Sequence, residues 1–482
     1  MKKFFHRGKE KKSYIYNGEH DNNPNRFSSS GFLLFLNQLI IAFGNWIFWM
    51  FISRVTTTEA IGQSTTIVSL VLFSTTMIQL GLEYPILKYS YKYRNTIFAT
   101  TLFLEIAISL VSIPLVIYFI NTFYEKNLQE FEWLTIIMIM ATAPGFVTHF
   151  LLLSMFKIRA VFIIDVLATI VKFGIGYALV VFGMGSFGII VAFLGNIILT
   201  SLLSLLLVGN DLSFRLDLNL MRLFIAEGLV NTPSKISRIL IFSLSIVLLA
   251  SFGVNVSSIG IFYMALTMSL VVGGFATNIA LMIIPSAAQS IKDYTSLGLR
   301  IGLSFTVPII VLLTVGPELI LGLIGYQYTV ASLDLIILAL AILPSSITIT
   351  AISSLNTKDQ HKKLLVIGII EILSFILSFI ILVPEKSTLG ASLSTLIAFS
   401  VSATLSILWT GKPHLKYIMN STIALAIGIL FGYGLRSLFN DYGIYSVFNL
   451  FLPVIASTIV VFHLNEIKIN EIIQIIKNVF NK

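Results

Sequence analysis

Four polar residues recur at helical spacing in the stretch Ala226 to Phe242, AEGLVNTPSKISRILIF, which runs without a break into the apolar IVLLASFG. At about 100° per residue, Glu227, Asn231, Lys235 and Arg238, with Ser234 among them, fall within an arc of roughly 100° on one helix face. Two cations and an amide on one stripe suit charge-assisted hydrogen bonds to a phosphate or a carboxylate. The competing reading is a structural one, in which Lys235 pairs with Glu227, or Arg238 with a carboxylate on another helix, inside a bundle. A third places the stripe in an interfacial segment. Pro233, inside the stripe, lacks a backbone N–H and predicts a kink or hinge.

Other polar residues stand alone in apolar surroundings. Asp165 and Lys172 are seven apart, hence on nearly one face, and can pair with each other or with the stripe. Glu105, Glu371 and Asp334 are single acids in apolar runs, each a candidate for a coupling proton or sodium ion and each also explained by hydrogen bonding between helices. Asn37, Gln38 and Asn45 share one apolar run that ends in Arg54 and are expected to line a cavity with Arg54 at its outer end. His149 reads as a satisfied interior histidine.

The elements that carry these residues are set by composition. Of 482 residues 56% are hydrophobic and only 11% charged, against about 25% charged in soluble proteins. With a mean hydropathy of +0.94 the chain is expected to be an integral membrane protein. It has no cysteine, which excludes disulfides, Cys-ligated zinc and thiol catalysis. No cofactor or metal motif is found. Residues 1–30 are too polar for a packed core and are expected to form a disordered basic tail. The long apolar run behind them has no cleavage-site pattern and is expected to stay as an anchor.

A span needs about 20 apolar residues. Windows of that length fall near 31–53, 63–82, 96–120, 134–156, 162–182 and 187–208. After a polar connector at 209–222 come 223–252, 259–284, 298–324, 333–355, 364–383, 389–410, 415–436 and 444–463. The expectation is an all-α polytopic membrane protein of about 14 transmembrane helices. These form one six-helix bundle at 31–208, a second at 223–410 and two additional helices at 411–463. The lysines and arginines test the count. Arg54, Lys126, Lys386 and Arg436 fall in one set of connections, Lys172, Lys235 and Arg238 within spans, and all the others of the 31 in the tail or the alternate connections. By the positive-inside rule both termini are cytoplasmic. The net charge of +9 is then a topology signal, and no nucleic-acid partner is implied. Residues 464–482, with isoleucines at roughly helical spacing among charges, read as an interfacial helix or a solvated helical tail.

The two groups of six echo each other. Ile61-Gly62 after the first span matches Ile259-Gly260 after the seventh, and Gly188 at the sixth matches Gly390 at the twelfth. The offsets agree on one repeat of about 200 residues, in parallel orientation.

Four stretches carry a resemblance: VTTTEAIGQSTTIVSLVLFSTTMIQLGLEYPILKY (55–89), SSIGIFYMALTMSLVVGGFATNIALMIIPSAAQ (257–289), LIGYQYTVASLDLIILALA (323–341) and LVPEKSTLGASLSTLIAFSVSATLSIL (382–408). In order and spacing they resemble the polysaccharide exporters of the O-antigen and teichoic-acid flippase type, in the multidrug/oligosaccharidyl-lipid/polysaccharide (MOP) exporter superfamily. The twelfth span departs from that pattern, with Thr388-Leu389-Gly390-Ala391-Ser392 in place of a fuller Gly-Ala motif. The resemblance implies two six-helix bundles in a V around a cavity, alternating access, and a polyprenyl-pyrophosphate-linked oligosaccharide as cargo. The implied partners are the lipid bilayer, a coupling ion (sodium or proton) and glycan-assembly proteins.

The expected function is a non-enzymatic flippase for lipid-linked oligosaccharide in cell-surface polysaccharide synthesis at the cell membrane, with the α-helical stripe, Lys172, Asn37, Asn45 and Arg54 as its substrate-binding candidates. The alternative is a cation-coupled multidrug or small-solute antiporter of the same architecture, centred on acids such as Asp165. A polymerase or glycosyltransferase needs a long outer loop or an acidic metal motif, and the longest outer connection is only 121–133. A major-facilitator permease needs an Arg-rich loop signature that EYPILKYSYKYRN lacks.

Overall fold

The computed structural model describes residues 24–467 apart from 91, 125, 156, 210–213, 282–294, 359, 411–414 and 439–443. Within helices it omits the side chains of 24–36, 230–240, 274–281, 444–447 and a few single positions. Fourteen long helices follow one another: α1 (Pro24–Val55), α2 (Thr58–Ile78), α3 (Ile97–Phe123), α4 (Glu132–Ser154), α5 (Ile158–Val181), α6 (Gly185–Val208), α7 (Leu218–Ser251), α8 (Val256–Leu281), α9 (Thr295–Val315), α10 (Ser332–Thr357), α11 (His361–Lys386), α12 (Thr388–Thr410), α13 (Leu415–Leu438) and α14 (Ile444–Leu464). Among the described residues nine helices are long and apolar enough to cross a bilayer by length and composition. Large apolar side chains such as Val111, Leu206, Ile381 and Leu430 stay exposed on their outer faces, as a hydrocarbon environment requires. The chain is an all-α polytopic membrane protein.

Three boundaries differ from the hydropathy windows. α1 begins at Pro24, inside the segment expected to be a disordered tail, because proline fits the first turn of a helix and the polar residues after it extend the helix beyond its apolar part. α7 begins at Leu218, inside the expected connector, where Asp217 caps it by accepting from the backbone N–H groups of Asn219 (2.9 Å) and Leu220 (3.1 Å). The ninth window, expected at 298–324, breaks at Gly316. A separate helix Pro317–Ile324 and a 3-10 turn Tyr326–Ala331 follow, since Pro317 cannot donate into the preceding turn. The interfacial helix expected at 464–482 lies almost wholly outside the described residues. Beside it, Lys416 donates to Glu466 (2.8 Å) and holds that exposed carboxyl below its usual range.

The pairing of helices repeats with a shift of six. α1 packs on α5, α3 on α4, α4 on α6 and α5 on α6, and likewise α7 on α11, α9 on α10, α10 on α12 and α11 on α12. The repeat reaches single atoms. Thr148 and Ser204 share a hydroxyl hydrogen bond between α4 and α6 (2.6 Å), and Thr348 and Ser402 share one between α10 and α12 (3.0 Å). Each threonine also donates back to the carbonyl of a proline four residues earlier, Pro144 or Pro344, a bond that bends helices. Gly188 sits against Leu179, and Gly390 against Leu382 and Val383, so the two glycines close the same turn in each group.

The groups meet at both ends. We call the end that holds the α2–α3 and α4–α5 connections the basic face. At the opposite face α2 crosses α8 at the repeat-related glycines: a Cβ on Gly260 would lie 2.7 Å from the Gly62 nitrogen, and one on Gly62 would fall on the Val256 carbonyl. Nearby, Ser53 donates to the Ile324 carbonyl (3.2 Å) and Gln327 to the Ser53 carbonyl (3.4 Å). At the basic face Gly228 of α7 lies under the carbonyl of Leu80, 2.6 Å from where its Cβ would stand. α13 and α14 pack outside the second group on α9, where Gly428 and Gly432 admit Val311 and Val315.

Candidate functional site

α7 packs on both groups, on α2 and α3 of the first and on α11 and α12 of the second. Its first turns belong to the first: Leu220 and Phe224 are buried in a cluster with Leu82, Ile86, Phe98 and Val147. Its last turns belong to the common core, where Ile241, Ile246 and Leu249 are buried and where α7 packs along α11 and α12. Residues 229–240 form the helical stretch between these anchorages, continuous through Pro233. Of the four expected stripe residues, the structure places Glu227, whose Oε1 accepts a short hydrogen bond from the Tyr89 hydroxyl. Glu227 therefore ties α7 to the segment behind α2. The side chains of Asn231, Lys235 and Arg238 lie outside the described residues. Lys235 and Arg238 stand roughly 20 to 24 Å along α7 from Arg222, and the two helices that bury Glu105 and Glu371 side chains, α3 and α11, both pack on α7.

A second constellation joins α1, α4 and α5. Asn37 Nδ2 donates to Asp165 Oδ2 (2.6 Å), and His149 Nδ1 lies 4.0 Å from Asp165 Oδ1. Asn37 is 3% exposed and its Oδ1 has no hydrogen-bond partner among the described residues. Two turns further along the same helix pair, Lys172 donates a short hydrogen bond to Asn45 Oδ1. Its ammonium stands 5.1 Å from the ring centre of Phe48 and 4.8 Å from that of Phe193, a cation held by ring faces rather than by a carboxylate. The helices approach this closely because Gly44 leaves room for Thr169, 2.6 Å from where a Cβ would be.

The pairing considered between Asp165 and Lys172 does not form. Each takes an amide of α1 instead, because α1 and α5 run parallel and present Asn37 and Asn45 at the same two levels. His149, expected as an interior histidine, has Asp165 as its acidic neighbour. Arg54 does not stand beside Asn37 and Asn45. It lies exposed at the opposite face and donates to the Leu323 carbonyl (2.7 Å), capping the helix Pro317–Ile324. Asp334 is a tie between α10 and α12, accepting from Ser392 (2.6 Å) and Thr388 (3.2 Å). Among the described residues no group of three His, Cys, Asp or Glu forms a metal site. Sequence reasoning missed the part played by Tyr89 and by the rings around Lys172, although Tyr89 closes the stretch 55–89 and Phe48 and Phe193 lie inside expected spans. It also missed Trp49, whose ring meets Tyr263 of α8 edge-on at 5.1 Å and links the two groups.

No family model and no curated protein sequence matches the chain. Solved structures do. A lipid II flippase MurJ in an inward closed conformation aligns with a TM-score of 0.67 and 16% identity, over 92% of this chain and 99% of that one. An inward-facing multidrug resistance MATE family transporter of the MOP superfamily gives 0.57 and 13%, over 80% and 96%. A MOP superfamily transporter from Pyrococcus furiosus, whose binding pocket is described as reversed in polarity, gives 0.53 and 13%, over 84% and 100%. Over 80–92% of this chain and 96–100% of theirs, the architecture built above from paired six-helix groups is the fold of these three transporters.

Proposed function

We propose that this chain is a flippase that carries a polyprenyl-pyrophosphate-linked oligosaccharide across the cell membrane by alternating access, with the basic face and both termini in the cytoplasm. The observation that carries the reading is the place of α7 between the groups, where it packs on α2 and α3 of the first and on α11 and α12 of the second. A space that opens between the groups is bordered by this helix, and its sequence carries Lys235 and Arg238. Cations that deep in a bilayer cost about 2.5 to 3.5 kcal/mol each on insertion scales and are sited where an anion or a wet cavity meets them. A pyrophosphate linked to a lipid supplies the anion and accounts for a cavity between groups. Asn231 adds an amide, and the buried Lys172 a third cation. Glycan-assembly proteins are the expected neighbours in the cell.

The cluster of Asp165, Asn37 and His149 supports ion coupling: a carboxylate beside an unfilled amide oxygen offers hard ligands to sodium, or a site for a proton. The same cluster favours the second reading, a cation-coupled antiporter for small cationic solutes. Proteoliposomes containing the full chain separate the two. Movement of a polyprenyl-pyrophosphate-linked oligosaccharide, with no ion-driven uptake of a cationic dye, is expected. Dye uptake without glycan movement establishes the antiporter instead.

A further inference from the structure

The connector between α6 and α7 leaves an apolar surface uncovered at the basic face. Phe214, Leu216 and Leu218 are 78%, 55% and 69% exposed, as open as Val111 (72%) on the outer side of α3. Arg215 and Arg222 are exposed beside them. We propose that this stretch docks on the bilayer leaflet at the basic face, with the three apolar side chains among the acyl chains and the two arginines at anionic headgroups. This docking is independent of the cargo and of the function proposed above.

The exposure belongs to a fixed shape. The Phe214 ring meets that of Phe98 on α3 edge-on at 5.6 Å, and the Asp217 backbone N–H donates to the Thr100 hydroxyl (3.1 Å). Asp217 is extended (φ −129°, ψ 106°), so Leu216 and Leu218 leave the backbone on the same side. The Asp217 carboxylate is occupied in capping α7. Neither Arg215 nor Arg222 forms an ion pair or a side-chain hydrogen bond among the described residues, so both cations are open to an external anion. Position then selects the bilayer as the occupant. Phe98, Val208 at the end of α6 and Leu220 in the first turn of α7 share one buried cluster, and the connector therefore crosses the ends of three membrane helices. Ile198, Leu202 and Leu206 of α6 form an exposed apolar stripe at four-residue spacing that leads to this end, which makes the connector the edge of a hydrocarbon-facing surface. Aromatic and leucine side chains interleaved with arginine at that level have the make-up of a segment that lies in the interface. Each arginine near an anionic leaflet strengthens such docking about fivefold.

The chain has no cysteine, so single nitroxide labels on Leu216→Cys and Leu218→Cys report depth in vesicles from their contact with oxygen and with neutral nickel ethylenediaminediacetate. Labels on Val111→Cys and Lys362→Cys give the hydrocarbon and aqueous references, and thermal melting shows that each variant is folded. In phosphatidylcholine containing phosphatidylglycerol, the labels at 216 and 218 are expected about 5 to 10 Å inside the headgroup boundary. Arg215→Glu with Arg222→Glu is expected to move the label at 216 towards water in those vesicles and to leave its depth unchanged in pure phosphatidylcholine. Nickel contact as high as at position 362 would place the connector in water and overturn the docking. Exclusion of both reagents would place it under a second copy or another protein and overturn it equally. A depth at 216 that ignores the arginine substitutions in both lipids would overturn the headgroup contact.

Discussion

If α7 must leave α2 for the cavity to open at the basic face, the contact of Gly228 with Leu80 is where a single methyl group has the most leverage. A Cβ on Gly228 would stand 2.6 Å from the Leu80 carbonyl oxygen and 3.4 Å from Leu82 Cδ2. Separation to ordinary contact requires the helices to part by about 0.8 Å there, an overpacking that costs about 1 to 3 kcal/mol. Leu80 cannot yield cheaply, since it already holds a left-handed backbone (φ 40°) and is followed by Gly81 at 66°. Gly228→Ala therefore shifts the docked–undocked equilibrium about 5- to 150-fold towards undocked. The natural absence of cysteine makes the assay direct. Cysteines at Tyr89 and Glu227, whose side chains touch in the docked state, are joined through reducible disulfides by a short bis-methanethiosulfonate, and the initial rate reports the docked population. Gly228→Ala is predicted to lower that rate at least fivefold, and Gly62→Ala, which overpacks the opposite face, is predicted not to lower it. A crosslinked pair is expected to stop transport until reduced. An unchanged rate in a monodisperse, folded Gly228→Ala protein refutes the reasoning.

Four further outcomes follow from the polar residues between helices. Asp165→Asn keeps the hydrogen-bonding shape towards Asn37 and removes the charge, so transport should persist without its dependence on a proton or sodium gradient; retained dependence places the coupling site elsewhere. Lys172→Met replaces a buried cation with an apolar chain of similar volume between Phe48 and Phe193 and is expected to leave the melting temperature unchanged or raised. Asn45→Leu strands that cation without its acceptor and is expected to cost about 1 to 3 kcal/mol, read as a lowered melting temperature. Asp334→Ala removes the acceptor of two hydroxyl bonds between α10 and α12 and should destabilise the protein by about 1 to 3 kcal/mol without changing substrate selectivity in the transport assay.

The helices were legible because each is a long apolar run, and the alternation of basic connections fixed how many there are. The break at Gly316-Pro317 was hidden because apolar residues continue on both sides of it. The repeat was visible at Gly62, Gly260, Gly188 and Gly390, where a missing side chain leaves a sequence mark. The paired Thr148–Ser204 and Thr348–Ser402 bonds were not, because single hydroxyls in apolar helices carry no mark of their partners. The same holds for the candidate site. The sequence displayed Asp165 and Lys172 as charges out of place, but their partners Asn37 and Asn45 lie 128 and 127 positions away, and only the parallel packing of α1 on α5 brings them together. Arg54 shows the same limit: the carbonyl of Leu323 that it meets lies 269 positions away.

The central claim is that the middle of α7 meets the phosphate of a lipid-linked glycan, and it is tested most directly by flipping in proteoliposomes, comparing wild type with Arg238→Ala and Lys235→Ala. Loss of one charge-assisted contact to phosphate corresponds to about 1.5 to 3 kcal/mol, so each variant is predicted to flip a polyprenyl-pyrophosphate-linked oligosaccharide roughly 10- to 100-fold more slowly while remaining folded. Undiminished flipping in both variants would contradict the account and leave Lys235 and Arg238 as structural charges within the helix bundle.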